Sequence, residues 1–280
     1  MDEPYIIGDF VWTAIDYLGE SGIGRWYYDG DVPGEHWERP LYPWHAAYCG
    51  DIDLTGLRKP ISHYRSMLWH EDGEQLYMAV REPDGYHGLV KTTLWGTWPT
   101  FESWTWPGHE GKSIDVEVYS HDSKVRLYLN DQLIGEKEVV QGMATFTLPY
   151  QPGTLRAEGG EETVSLQTAD EVKAIRLTAD RTTLKADGQD LAFITIELTD
   201  GNGIVNCTSN NELTVSVSGP ITLIGFGNAD IKDCDRSTDS THRAWKGRAL
   251  LVVRSTGKKG KATITVQGKG LKTASINLSL

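Results

Sequence analysis

The sequence predicts a mainly β protein: two β-sandwich domains of immunoglobulin-like type, preceded by a segment that reads as a single β/α unit. Three observations carry this reading. Short runs of alternating apolar and polar residues recur at intervals of roughly ten residues through most of the chain. Aromatic residues are segregated, with nine of ten tryptophans between Trp12 and Trp106 and all twelve tyrosines between Tyr5 and Tyr150. Charge is segregated too: residues 1–170 hold 12 Lys and Arg against 28 Asp and Glu, whereas residues 171–280 hold 15 against 11. Regions that differ this much are built as separate domains.

The first region runs to about residue 88. Its run IIGDFVWTAI (residues 6–15) is mostly apolar, as in a parallel strand buried on both faces. A long loop rich in Gly, Pro and Trp follows. Ile61, Tyr64, Met67 and Leu68 then fall on one helical face. Lys59-Pro60 puts proline in the first turn, where its missing N–H costs nothing. Such a unit cannot stand alone, because the strand needs parallel neighbours and the helix needs a sheet to cover. A complete β/α barrel takes roughly 250 residues, and only 88 or so precede the all-β region. Either strand and helix are recruited differently, or the rest of a barrel has been cut away.

From about residue 89 the period becomes two. SIDVEVYS, KVRLYLND and MATFTLPY are short strands parted by turn residues such as Asn130-Asp131 and Pro152-Gly153. After a join near residues 168–172, the runs AIRLTAD, LAFITIELTD, LTVSVSG, RALLVVRST, KATITVQG and TASINLSL repeat the pattern of an immunoglobulin-like sandwich. The expected domains are therefore residues 1–88, 89–170 and 171–280.

The net charge of -12 argues against nucleic acid, whose binding rests on Lys and Arg neutralising phosphates, and equally against an anionic membrane surface. No run approaches the roughly 18 apolar residues of a spanning helix, so membrane insertion is not expected. MDEPYIIGDF lacks the features of a secretory signal, so the signal of an exported parent would lie upstream. Cys49, Cys207 and Cys234 are far apart and imply neither a disulfide framework nor zinc. Asp230, Asp233, Asp235 and Asp239 lack the glycine and glutamate of a calcium loop and read as solvated. No metal and no cofactor is expected.

Several motifs together carry a family resemblance along the whole chain. Gly8-Asp9-Phe10-Val11-Trp12-Thr13-Ala14-Ile15-Asp16-Tyr17-Leu18-Gly19-Glu20 resembles the eighth barrel strand and following loop of glycoside hydrolase family 2, the β-galactosidase family. Cys49 to Gly56, Lys59-Pro60 and Tyr64 to Trp69 resemble its final loop and eighth helix. Ser103 to Gly108 and Glu110-Gly111-Lys112 resemble the start of the sandwich that follows the barrel in bacterial polysaccharide-degrading members, and VRLYLNDQLIGEKEV its hairpin. Gly225 to Asp230 and Ala244 to Arg248 resemble the terminal invasin-like domain. The resemblance implies that residues 1–88 are the remnant of a (β/α)8 barrel: last strand, loop and helix. It also implies an exported parent, periplasmic or at the cell surface, that acts on carbohydrate through two glutamates on strands four and seven. Neither glutamate has a counterpart here.

Retaining hydrolysis needs two carboxyl groups about 5–5.5 Å apart. Asp16 and Glu20 sit on the loop leaving one strand, whereas barrel catalysis gathers residues from several strand ends, so the chain itself is expected to be inactive. Trp12 is implied to be a floor on which a sugar stacks; otherwise it is a core tryptophan. Asp16 either receives a sugar hydroxyl or caps the loop. Trp95, Trp98, Trp104 and Trp106 either form a sugar-stacking platform or bury the junction between barrel and sandwich. The leading expectation is a buttress that shapes the substrate entrance; the alternative is an independent carbohydrate- or surface-binding module. Phe10, Val11 and the apolar face of residues 61–69 are expected to be left uncovered, favouring self-association through the remnant.

Overall fold

The computed structural model describes residues 5, 8, 10–33, 41–69 and 73–280. Two β-sandwiches dominate it. In the first, Met143–Pro149, Ser113–Ser120, Leu76–Arg81 and Thr100–Phe101 form one antiparallel sheet in that order. Glu162–Gln167, Thr154–Gly159, Lys124–Leu129 and Gln132–Glu138 form the other. Inward residues of both, among them Val116, Val118, Leu127 and Leu155, close the core over Trp104. In the second, Ala174–Ala179, Leu191–Thr199, Arg248–Ser255 and Ile221–Gly227 face Thr241–Arg243, Glu212–Ser218, Lys261–Gly268 and Ala274–Ser279. Alternation fixes the register: Ala192, Ile194, Ile196 and Leu198 point inward, and Ile194 lies opposite Leu251. A one-residue slip would turn that whole set outward.

The N-terminal region departs from the expected division. Leu76–Arg81 belongs to the first sandwich, pairing with Ser113–Ser120 in the register Leu76↔Ser120 to Val80↔Val116. The strand contacts come from before residue 88 because LYMAVR is covered on both faces. Leu76, Met78 and Val80 enter the sandwich core, while Tyr77 and Ala79 lie under the helix Pro60–Trp69 together with Met67 and Tyr119. The helix is thus recruited by the outer face of the sandwich sheet, which corrects the expectation that its whole apolar face is bare. Tyr64 donates its hydroxyl to the Gln141 carbonyl at 2.9 Å, and His63 stacks on Tyr77 at 3.8 Å. Leu68 and Trp69 at its end remain exposed.

Of the expected eighth strand, Ile6, Ile7 and Asp9 lie outside the described residues. Phe10 to Ala14 are not strand; Phe10 is 98% exposed. The chain instead finds a partner in its own loop. Residues 13–16 run parallel to residues 49–52, with Ile52 N donating to Ala14 O at 2.9 Å and Asp16 N to Ile52 O at 2.8 Å. Gly50 makes this approach available: a Cβ there would lie 2.2 Å from Asp16 N and 2.4 Å from the Ile15 carbonyl carbon. Both neighbours are backbone and cannot swing aside. Gly50→Ala is therefore expected to destabilise the N-terminal region by at least the ~1–3 kcal/mol typical of overpacking, read as a lower urea midpoint by tryptophan fluorescence.

The three parts are joined by hydrogen bonds as well as packing. The connecting segment is tied to the first sandwich by Thr168 Oγ1 donating to Trp104 O at 2.7 Å and Ala169 N to Thr105 Oγ1 at 2.9 Å, and to the second by Asn206 Nδ2 donating to Asp170 O at 2.8 Å. The terminal sandwich sends Ile231 into a cluster with Leu41, Trp44 and Ala46 of the N-terminal region, where His45 N donates to Ile231 O at 3.1 Å.

Candidate functional site

Trp12 is 65% exposed, and its indole is held by its edge. Nε1 donates to the Tyr17 hydroxyl at 3.0 Å, the two rings meet edge-on at 6.1 Å, and Tyr17 in turn donates to the Glu20 carboxylate. Tyr17 is itself fixed by pairing with Ala47. An aromatic face anchored through its polar edge and open to solvent has the form of a stacking surface.

Asp16 is placed differently from the expected sugar contact. It is 2% exposed, and Oδ1 accepts from Gly50 N and from Lys59 Nζ, both at 2.8 Å. Lys59 Nζ also donates to Tyr48 O at 2.9 Å and lies 3.7 Å from the centre of the Tyr48 ring. Burial pushes the Asp16 carboxyl up to about 6 against the opposing pull of Lys59, and burial likewise lowers the pKa of Lys59. Desolvation outweighs the attraction within this pair. The carboxyl locks the 13–16 segment to the 49–59 loop and turns no accessible oxygen to solvent, so neither hydroxyl binding nor acid–base work is available to it. Glu20, the other tempting carboxylate, is committed to Tyr17.

The fold divides the four clustered tryptophans. Trp104 is buried in the core of the first sandwich, and Trp106, buried in the same core, also faces the meeting point with the N-terminal region. Trp104 Nε1 donates to Gln151 O at 3.0 Å, and its ring meets Tyr150 edge-on at 4.9 Å. Half-buried Trp98 donates Nε1 to Glu82 O at 2.8 Å, and Trp95 is exposed. The four do not share one surface. In the acidic loop, Asp233, Asp235 and His242 bring ligand atoms within 4.8 Å of one another. Asp233 Oδ1 already accepts from Asp235 N, and Asp230 Oδ1 from Lys232 N.

A cavity of about 270 Å³ opens where all three parts meet. Trp26 and Trp44 wall it from the N-terminal region, Phe101 and Trp106 from the first sandwich, and Trp245 and Lys246 from the terminal domain. Lys246 Nζ lies 3.9 Å from the centre of the Phe101 ring, and Lys232 Nζ 4.9 Å from that of Trp44. At its edge the Glu82 carboxylate accepts from the Tyr28 hydroxyl at 2.6 Å and meets His87 Nδ1 at 2.9 Å. Sequence reasoning did not find this cavity. The run Ala244 to Arg248 marks a recognisable motif, but nothing local to it says which aromatic rings Lys246 will meet.

Comparison with known proteins agrees with the architecture. Residues 175–277 match the family model described as glycoside hydrolase family 2 C-terminal domain 5, and residues 111–164 match a domain of unknown function (DUF4982). Beta-galactosidase BoGH2A of Bacteroides ovatus is 28% identical over 287 residues, an alignment covering 99% of this chain and 29% of that protein. A crystal structure of a glycosyl hydrolase family 2 member from Bacteroides cellulosilyticus superposes with a TM-score of 0.87 at 36% identity, over 98% of this chain and 36% of that one. A β-glycosidase from Bacteroides vulgatus gives 0.76 at 26% identity, over 95% of this chain and 30% of that one. The chain thus spans about a third of the length of these relatives. With a family 2 domain over the last sandwich and a family 2 structure superposing along nearly all of the described architecture, the chain corresponds to the C-terminal portion of glycoside hydrolase family 2 proteins.

Proposed function

We propose that this chain is the non-catalytic C-terminal part of a β-galactosidase-like glycoside hydrolase, in which it buttresses the catalytic barrel and shapes the substrate entrance. The whole protein would hydrolyse β-galactosides or related glycans by a retaining mechanism with two glutamates. The observation that carries this reading is the contrast between a solvent-facing Trp12, held through Tyr17 and Glu20, and an Asp16 sealed in an ion pair with Lys59. The loop is built to present a surface and not to supply a carboxylate. Exposed Phe10, Ile15 and Leu18 form the apolar set against which the remainder of a barrel packs, and the 45–59 loop holds that segment from behind. In the absence of the barrel the same residues favour self-association.

Hydrolysis of a chromogenic β-galactoside by the purified chain tests the reading. No turnover above buffer is expected. Turnover that survives purification and disappears on Asp16→Asn or Glu20→Gln would overturn it. In a protein carrying the complete barrel, Trp12→Ala is expected to raise KM about tenfold or more, since stacking on an aromatic face is worth ~1–3 kcal/mol.

A further inference from the structure

We propose that the cavity between the N-terminal region and the two sandwiches binds an acidic pyranose residue, one bearing a carboxylate or a sulfate, with Lys246 and Lys232 holding the anion and the aromatic walls holding the ring. The buttressing role does not require this site, and the site does not depend on that role.

The argument begins with charge. Lys246 and Lys232 both line the cavity, and neither forms an ion pair within 4.0 Å among the described residues. Their ammonium groups lie instead over aromatic faces, Lys246 over Phe101 and Trp245 and Lys232 over Trp44. Cation–π contact replaces only part of the hydration that an ammonium loses on burial. Burial accordingly lowers the pKa of Lys246. The Glu82 and Asp230 carboxylates act on Lys246 only from beyond ion-pairing distance, and an anion entering the cavity would supply a counter-charge at short range.

The walls select the rest of the ligand. Trp26 and Trp106 offer apolar faces from two sides, matching the flat C–H faces of a sugar ring. Asn210 is fixed by accepting from Lys246 N through Oδ1 at 3.0 Å, which leaves its amide N–H groups for a hydroxyl. Asp230 also lines the cavity and can accept from a second hydroxyl. Clefts for drug-sized ligands run to ~300–1,000 Å³, so 270 Å³ suits a single ring and not an extended chain. A neutral sugar would use the aromatic faces and leave both ammonium groups without a counter-charge at ion-pairing distance.

The test is calorimetric titration of the purified chain with methyl β-D-glucuronide, glucose 6-sulfate and methyl β-D-glucoside. At least one acidic ligand is expected to bind saturably and about tenfold or more tighter than the glucoside, the factor that one short-range charge contact supplies. The preferred acid identifies the anion. Lys246→Met, which keeps the length and apolar body of the side chain, is expected to remove most of that preference with the circular dichroism spectrum unchanged. Equal affinity for the glucoside, no binding of any of the three ligands, or undiminished acid preference in a folded Lys246→Met chain would overturn the proposal. The comparison among ligands needs no variant, so it stands even if the substitution disturbs folding.

Discussion

Replacing Lys59 by methionine is expected to destabilise the N-terminal region by ~3–5 kcal/mol at pH 8, the usual cost of stranding one charge of a buried pair, and by much less at pH 5. The sign follows from Asp16. Its carboxyl titrates at about 6 in the folded chain against 3.8 for the unperturbed group, raised by burial in spite of Lys59. A group with a raised folded pKa favours the native state fully below the unfolded value. It loses that contribution as pH rises through the folded value. Two units correspond to ~3 kcal/mol, since each unit is 1.36 kcal/mol, so the wild-type chain should already weaken between pH 4 and pH 7. Removing Lys59 takes away the attraction that holds the carboxylate ionised, raises its pKa further and extends the loss toward pH 8. Urea titrations followed by tryptophan fluorescence report on this region, because five of the ten tryptophans lie within residues 12–69. The double variant Asp16→Asn with Lys59→Met should recover much of the loss, as the Asn oxygen can still accept from Gly50 N. Equal losses at pH 5 and pH 8 would show that the ion pair does not govern this loop.

Half of this arrangement could be read in advance. The strands with strict alternation were legible because one face of each is buried: Lys124–Leu129, Leu191–Thr199 and Lys261–Gly268 all lie where the period of two placed them. Leu76–Arg81 was not, because a strand covered by a core on one face and a helix on the other has no alternation to show. Gln132–Glu138, legible through the resemblance and not through its period, carries only Leu133 and Ile134 as apolar residues, and Ile221–Gly227 holds two glycines; an edge strand has little core to specify it. The helix was predicted from the spacing of Ile61, Tyr64 and Met67, but the sheet it covers belongs to a different domain. The candidate site shows the same limit. Asp16 could be singled out, but its partner Lys59 lies 43 residues away, and Lys246 acquires its surroundings only when three separately encoded units dock.

Trp104→Ala is expected to be the most damaging single substitution in the first sandwich, whereas Trp95→Ala should leave stability within ~0.5 kcal/mol, as is usual for surface positions. Trp104 is fully buried among Val116, Leu127, Leu155 and Tyr150. Truncating a buried tryptophan to alanine costs ~3–5 kcal/mol through lost transfer energy and the cavity left behind. A further cost comes from the Gln151 carbonyl, which would lose the indole N–H that now donates to it at 3.0 Å. Domains are stable by only ~5–15 kcal/mol, so this is a large share, and at ~4–8 °C per kcal/mol for a sandwich of this size the midpoint should fall by more than about 10 °C. The loss should also spread. Thr168 Oγ1 donates to the Trp104 carbonyl and Ala169 N to Thr105 Oγ1, so a loosened Trp104 segment frees the connection to the terminal domain. Scanning calorimetry of the variant should then resolve two transitions, with the terminal sandwich melting near its original temperature because its own core, centred on Ile194, Leu251 and Ile264, is untouched. If the two tryptophan variants instead melt alike, Trp104 does not anchor the sandwich core, and the division between buried and exposed members of the cluster loses its energetic meaning.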